Sequence, residues 1–375
     1  MNFHSVENAF HEAVVQGIFP GAVVLVGKED EVVYENAFGF RSLVPEKRLL
    51  QVSTIFDVAS LTKPLATTMA IMLLVREKKV RLDDQVTGLI PTFGVYGKSL
   101  TTLRHLLNHS SGLPAWKPYY EPIIDSEKAG KINFIGSRAA KNYVFDQIHQ
   151  EKPFHSPGAE GLYSDLGFII LGEIIEALTG SNLDDFCQER IFRPLGLSST
   201  AFIDLTQLET RRFQPVEEMI APTENCPWRK KILCGEVHDD NAYAMGGVAG
   251  HAGLFSSARD IHKLVIRLQR CLRGEDNFLP EALLKEFFTR DESVKNSTYA
   301  LGWDTPSPGH SASGACFSPQ SIGHLGFTGT SIWWDLEKNC HVVLLTNRVH
   351  PSRKNDRIKD FRPYIHDLIM KVFFP

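Results

Sequence analysis

The chain has 375 residues, 43% hydrophobic and 22% charged, enough to bury a full core, so it is neither a small stapled scaffold nor a disordered tail. Forty basic against 44 acidic residues leave a formal charge of -4, too little positive field to hold a polyanion, which argues against nucleic acid as a partner. The longest nearly pure apolar run, 69–75, falls far short of the roughly 20 residues needed to cross a bilayer.

Residues 4–16 carry Val6, Ala9, Phe10, Ala13 and Val14 at helical spacing, and Gly17 and Pro20-Gly21 then stop the helix. Next, 22–26 and 32–38 are β-rich runs joined by Lys28-Glu29-Asp30, the pattern of an antiparallel hairpin. The middle is helical in pattern over 65–80, 166–178, 183–192 and 261–272, with few convincing strands between. Residues 116–160 mix prolines and charges with one helix expected around 137–150, and read as a long surface excursion of the kind that covers sites. Near the other end, 331–336 and 341–346 form another predicted strand pair. The periodic Ile358, Phe361, Tyr364, Ile365, Leu368 and Ile369 follow as a helix. Helix and strands thus bracket the chain, with a helical lobe inserted into a sheet: 1–58 and 255–375 as a discontinuous α/β sheet domain, 59–254 as the lobe. The first residues have neither a basic start nor an apolar stretch before a small-residue cleavage site, so a cytoplasmic protein is expected.

The six cysteines include no Cys-x-x-Cys pair, and free thiols are expected. His105 and His109 stand four apart, as in a zinc-protease helix, but Leu106 fills the place where that chemistry needs a glutamate base. No metal and no cofactor is expected.

Ala59-Ser60-Leu61-Thr62-Lys63-Pro64 comes directly before the helix expected near Leu65. A helix start offers unpaired N–H groups and partial positive charge, which favour an anion forming beside Ser60. Lys63, three residues on, returns to the same face, where its amine can reach the hydroxyl. The apolar helix that follows implies that this lysine is buried, and burial lowers its proton affinity towards that of a general base. A plain capping serine with a solvated lysine is the alternative, yet this is the only Ser-x-x-Lys in the chain.

A second candidate is the tight loop 157–165, which delivers Tyr163 and Asp165 just before the helix at Leu166. A phenol near Lys63 would be favoured as phenolate and could take the Ser60 proton. Otherwise Asp165 caps the helix and Tyr163 packs. The third candidate, 323–330, holds His324, Gly326 and Phe327 ahead of the C-terminal strand pair. Its glycines would let substrate lie along a strand edge, and the Phe327 N–H, with that of Ser60, could form an oxyanion hole. The alternative is a glycine-marked bulge with a surface histidine. Tyr34-Glu35-Asn36 repeats a Tyr-x-Asn pattern but lies mid-strand, where one of the pair is expected to be misdirected. His251-Ala252-Gly253 reads as a loop near the cleft, before a cap formed by Ser257 and Asp260. No Gly-x-Ser-x-Gly elbow is present.

In this order, Ser60-Leu61-Thr62-Lys63, Tyr163-Ser164-Asp165 and His324-Leu325-Gly326 resemble the three motifs of the β-lactamase-like serine hydrolases. That superfamily includes class C β-lactamases, penicillin-binding DD-peptidases, D-aminopeptidases and esterases. The connecting segments 103–114 and 193–197 are also similar, so the resemblance spans nearly the whole chain. It implies an α+β fold: a mixed antiparallel sheet flanked by terminal helices, an inserted helical lobe, and a cleft where the motifs meet. It further implies Ser60 as acylated nucleophile, with Lys63 and Tyr163 handling the proton. Two departures stand out. Asp165 replaces an asparagine and cannot donate an amide hydrogen bond, and His324 replaces the lysine of Lys-Thr-Gly, which weakens attraction for a substrate carboxylate. The expected activity is therefore an esterase on uncharged acyl esters, with weak β-lactamase activity. A D-aminopeptidase or DD-peptidase acting on short D-amino acid peptides, and a binding protein without turnover, are the rivals.

Overall fold

The computed structural model describes residues 3–130, 134–206 and 217–374. The expected hairpin forms as β1 (Gly21–Lys28) and β2 (Glu31–Ser42), with β3 (Arg48–Leu49) on its outer edge. The C-terminal strands β9 (Ser321–Leu325), β10 (Ser331–Asp335) and β11 (Cys340–Thr346) complete a six-stranded antiparallel sheet in the order β3-β2-β1-β11-β10-β9. The two ends of the chain meet at the centre, where Val24 lies opposite both Asn36 and Leu344. Successive side chains of β1 go to opposite faces, and both faces are covered, which explains its unbroken apolar run. Val24 and Val26 pack under the terminal helices His4–Val15 and Ile358–Phe373 with Phe10, Phe361 and Ile365. Val23 and Leu25 face the main core with Leu264 and Val265 of helix Ala258–Leu272. Each such side chain contributes about 1.5–3 kcal/mol by leaving water.

The lobe is built around helix Asp165–Thr179, whose Leu166, Phe168, Ile169, Ile170, Leu171, Ile174 and Ile175 are all fully buried; Gly180, at φ 69°, ends it. Where sheet and lobe join, a second small sheet pairs β8 (Leu254–Ser256) with β4 (Phe56–Asp57) on one side and β5 (Ala201–Phe202) on the other. It sets the direction in which the chain leaves β4, three residues before Ser60. A separate two-stranded ribbon is formed by β6 (Asn225–Cys226) and β7 (Lys231–Ile232). Among the described residues, no single helix is long and apolar enough to cross a membrane.

Several boundaries differ from the sequence expectations. The helix expected over 65–80 is a wide π turn, Lys63–Thr68, running into the α-helix Met69–Arg76; Pro64 has no N–H to give to a regular first turn. Strand β9 was not anticipated, because Ser-Ile-Gly-His-Leu has little strand character and pairing with β10 decides it. The surface excursion over 116–160 requires correction. Among its described residues are two helices, Tyr120–Lys128 and Arg138–His149, and the second buries Ala140, Val144, Phe145 and Ile148 in the lobe core.

Candidate active site

Ser60 sits in a short 3-10 turn, Ala59–Leu61. Ala59 before it takes φ 48°, a left-handed conformation that costs about 1–2 kcal/mol for a residue with a Cβ. The buried carboxylate of Asp57 holds it there, accepting from the Ala59 N–H at 2.8 Å and from the His238 N–H at 2.7 Å. Thr62 braces the same turn, donating to Ala59 O at 2.6 Å and accepting from Leu254 N–H at 3.1 Å.

Lys63 is fully buried, and all three ammonium hydrogens have acceptors: Ser60 Oγ at 3.0 Å, Asp165 Oδ1 at 2.7 Å and His251 O at 3.2 Å. The expectation that burial would turn this lysine towards a neutral base is overturned. Burial does pull its proton affinity down, but the Asp165 carboxylate and the Tyr163 oxygen outweigh it and leave the net shift upward. Asp165 is not the cap of its helix. Ser164 is, accepting from Gly167 N–H at 3.4 Å and donating to Pro114 O at 2.7 Å, which leaves the aspartate to pair with a lysine 102 positions earlier.

Tyr163 lies beside both groups. The Lys63 Nζ stands 4.9 Å from its ring centre, and both Lys63 and Ser60 favour the ionised form of its hydroxyl. The expected phenolate is not the resting form: burial raises the phenol above its ordinary value and Asp165 adds to that, against the opposing pull of Lys63 and Ser60. His109, half of the rejected zinc pair, positions this loop. Its Nδ1 accepts from the Ser164 N–H at 3.0 Å and its ring lies 4.5 Å from that of Tyr163. Burial, with Lys63 and His324 nearby, keeps His109 neutral. His105 serves elsewhere, in a capping box with Thr102.

The third motif closes the site. His324 on β9 is 6.1 Å from Tyr163 between ring centres, and its Nδ1 donates to Leu325 O at 2.9 Å, leaving Nε2 as an acceptor. Burial and then Lys63 lower its pKa to about 3, so the residue in the lysine's place carries no charge at neutral pH. Gly326 is required by close approach: a Cβ there would stand 2.0 Å from Thr330 Oγ1 and 2.5 Å from Val58 O. Thr328 and Thr330 donate to Asp57 O at 2.7 Å and Val58 O at 3.0 Å, stitching this loop to the segment that carries Ser60. Phe327 is fixed through its carbonyl, which accepts from Arg348 Nε at 2.8 Å, and its ring stacks on His238.

Ser60, Tyr163, Asp165, His324, Gly326 and Phe327 all line one cavity of about 820 Å³, with Lys63 behind its wall. Sequence reasoning missed Asp57 and His238 behind Ser60, and Trp116, Tyr299, Asp304 and the Asp239–His251 pair in the lining. Only the last carried a signal, the glycine-rich stretch through Gly253. Although burial raises the Asp239 carboxyl, its 2.9 Å contact with His251 Nε2 holds it well below the usual range. Burial lifts Asp304 to about 6. Tyr34 and Asn36 do not line the cavity. They share a face, as residues two apart on a strand must, with Asn36 Nδ2 3.4 Å from the Tyr34 hydroxyl; the expectation that one was misdirected was wrong. Among the described residues no three His, Cys, Asp or Glu side chains gather as a metal site.

The Beta-lactamase family model matches residues 6–362. An Escherichia coli K12 protein named "Putative D-alanyl-D-alanine carboxypeptidase" is 33% identical over 364 residues, covering 88% of this chain and 79% of that protein. Among solved structures, the octameric penicillin-binding protein homologue from Pyrococcus abyssi aligns with a TM-score of 0.73 at 22% identity, over 99% of this chain and 78% of that one. EstCE1, a hydrolase with promiscuous acyltransferase activity, aligns with a TM-score of 0.71 at 21% identity, over 96% and 97% of the two chains. These structural matches establish the β-lactamase and penicillin-binding-protein fold, with helices around a mixed antiparallel sheet. With the family model spanning nearly its whole length, the chain belongs to the Beta-lactamase family.

Proposed function

We propose that the protein is a serine hydrolase that passes an acyl group through Ser60, acting chiefly on uncharged acyl esters. The observation that carries this reading is the 3.0 Å contact between Ser60 Oγ and a fully buried, carboxylate-paired Lys63 at the base of an open cavity. Lys63 acts as a fixed cation rather than as the base, since its pair with Asp165 keeps the proton on it. Tyr163 is the base in its ionised form, which Lys63 stabilises. Ser60 Oγ attacks the ester carbonyl as its proton moves to the Tyr163 oxygen, and the oxyanion is held by the N–H groups of Ser60 and Phe327. Tyr163 returns the proton to the leaving alcohol. Water, giving its own proton to Tyr163, then attacks the acyl-enzyme, and Tyr163 passes that proton to Ser60 Oγ as it leaves, which frees the acid and restores the ionised base.

Preference for neutral esters is supported by the charges beside Ser60. His324 is uncharged and Lys63 is engaged by Asp165, so neither offers a free cation to a substrate carboxylate. A second reading, a carboxypeptidase on peptides ending in D-alanine, draws support from the name of the Escherichia coli relative and from arginines at the far end of the cavity. Hydrolysis of p-nitrophenyl butyrate that disappears in Ser60→Ala, with a fluorophosphonate adduct on the Ser60 peptide, is the expected result. An adduct on Ser110 or Ser311 overturns the assignment, and no turnover of any ester, lactam or D-amino amide leaves a binding protein.

A further inference from the structure

Past Phe327 the cavity continues to a basic wall of Arg348, Arg353, Lys354, Lys359 and Arg362, with Asp240 and Asp356 as the acids beside them. Two of these cations are already matched. Arg353 holds Glu224 and Asp240, and Lys359 lies 3.2 Å from Asp356. Arg348 and Arg362 are not. Arg348 is buried and donates only to carbonyl oxygens, those of Phe327, Arg353 and Asn355. Arg362, on the C-terminal helix and only 5% exposed, makes one long bond from Nη2 to Thr330 O at 3.3 Å, and its Nε has no partner. Among the described residues neither guanidinium has a carboxylate within 4.0 Å.

Carbonyl oxygens satisfy N–H groups without cancelling charge, and an arginine does not shed its proton to escape burial. Burial lowers the proton affinity of both residues; Asp356 offsets part of this at Arg348, and Arg348 lowers that of Arg362 further. A guanidinium fork with a free Nε edge matches two oxygens of a planar or tetrahedral oxyanion. We propose that Arg362 and Arg348 form an oxyanion-binding site at the far end of the cavity, taking a carboxylate or phosphate group. Because Arg348 also grips the Phe327 carbonyl, an anion seated there lies one side chain away from the proposed oxyanion hole. The anion belongs either to the leaving group of a substrate, an arm that rests on the Ser60 reading, or to a free ion.

Thermal unfolding of the full chain in inorganic phosphate, against sodium chloride at equal ionic strength, tests the site directly. A phosphate-specific rise of about 3 °C at a hundredfold excess over Kd is expected for wild type, lost in Arg362→Gln and partly kept in Arg362→Lys. Kinetics then separate the sources. If the anion is substrate-borne, Arg362→Gln raises KM about tenfold for 4-carboxyphenyl butyrate and leaves p-nitrophenyl butyrate unchanged, and phosphate competes only with the former. If it is a free ion, phosphate stimulates p-nitrophenyl butyrate turnover in wild type and not in Arg362→Gln. The proposal is overturned if phosphate stabilises no more than chloride and Arg362→Gln alters KM for neither ester. Should Arg362→Gln fail to fold, the wild-type titration and Arg362→Lys decide on the same criteria. Loss of the Ser60 reading alone would leave the phosphate-specific stabilisation in place.

Discussion

Lys63 and Lys98 are both fully buried, and they face opposite electrostatic surroundings. Lys98 ends among three carbonyl oxygens, Val95 O and His149 O at 2.9 Å and Glu151 O at 2.6 Å, with no carboxylate oxygen bonded to it. Its hydrogens are satisfied but its charge is not, and burial brings its pKa down to about 8. Lys63 has a carboxylate at 2.7 Å and a phenol beside it, and the same burial fails to lower its affinity. Burial therefore does not decide whether a lysine becomes a base; the opposite charge within contact does. In the helical lobe the lysine ties loop ends together, and in the cleft it supplies a permanent positive charge next to a hydroxyl.

The comparison can be broken by exchanging the two roles. Lys63→Ala and Tyr163→Phe should each slow acylation by more than about a hundredfold, whereas Lys98→Met should leave the acylation rate within about twofold. Burst kinetics with p-nitrophenyl butyrate measure both, and a near-wild-type rate in Lys63→Ala would remove the distinction. Next in size is the pH profile. With the phenol held above its ordinary value of about 10, the ionised base is scarce near neutrality, and kcat/KM should climb about tenfold per pH unit between 7 and 9. A plateau beginning near pH 7 would mean that Lys63 wins over burial. Asp165→Asn removes a charge that raises Tyr163, so the rising limb should move to lower pH, with a several-fold gain at pH 7; an unmoved limb would show that the carboxylate does not act on the phenol.

The smallest effect concerns stability. Lys98→Met should cost about 1–3 kcal/mol through three carbonyls left without a donor. Its folded-state pKa of about 8 lies below the unfolded value of about 10.4. The unfolded chain therefore binds more protons between these values, and the penalty for burying the charged amine is full below pH 8 and relieved as pH rises towards 10.4. Chemical denaturation from pH 7.5 to 10.5 should show wild type gaining stability relative to Lys98→Met. A constant difference between the two would contradict the assignment.

Much of this could be read before any coordinates. The amphipathic terminal helices and strands β1, β2, β10 and β11 follow from side-chain periodicity, which is a local property. Ser60 and Lys63 belong together because three residues is nearly one helical turn, and this holds although the turn is part 3-10 and part π. Strand β9 was invisible, because its residues become a strand only by pairing with β10. The roles of Asp57 and His238 were equally hidden: they support Ala59 from 2 and 179 positions away, through contacts that no motif marks.

Residue identity and spacing alone therefore determined the family resemblance, the order of the three motifs and the candidate nucleophile. Only the tertiary structure decided that Ser164 rather than Asp165 caps the lobe helix, that Asp165 turns to Lys63, and which of the neighbouring groups hold their protons. The physical reason is that periodicity acts over a few bonds, whereas proton affinity is set through space by burial and by charges the fold brings from 102 positions away.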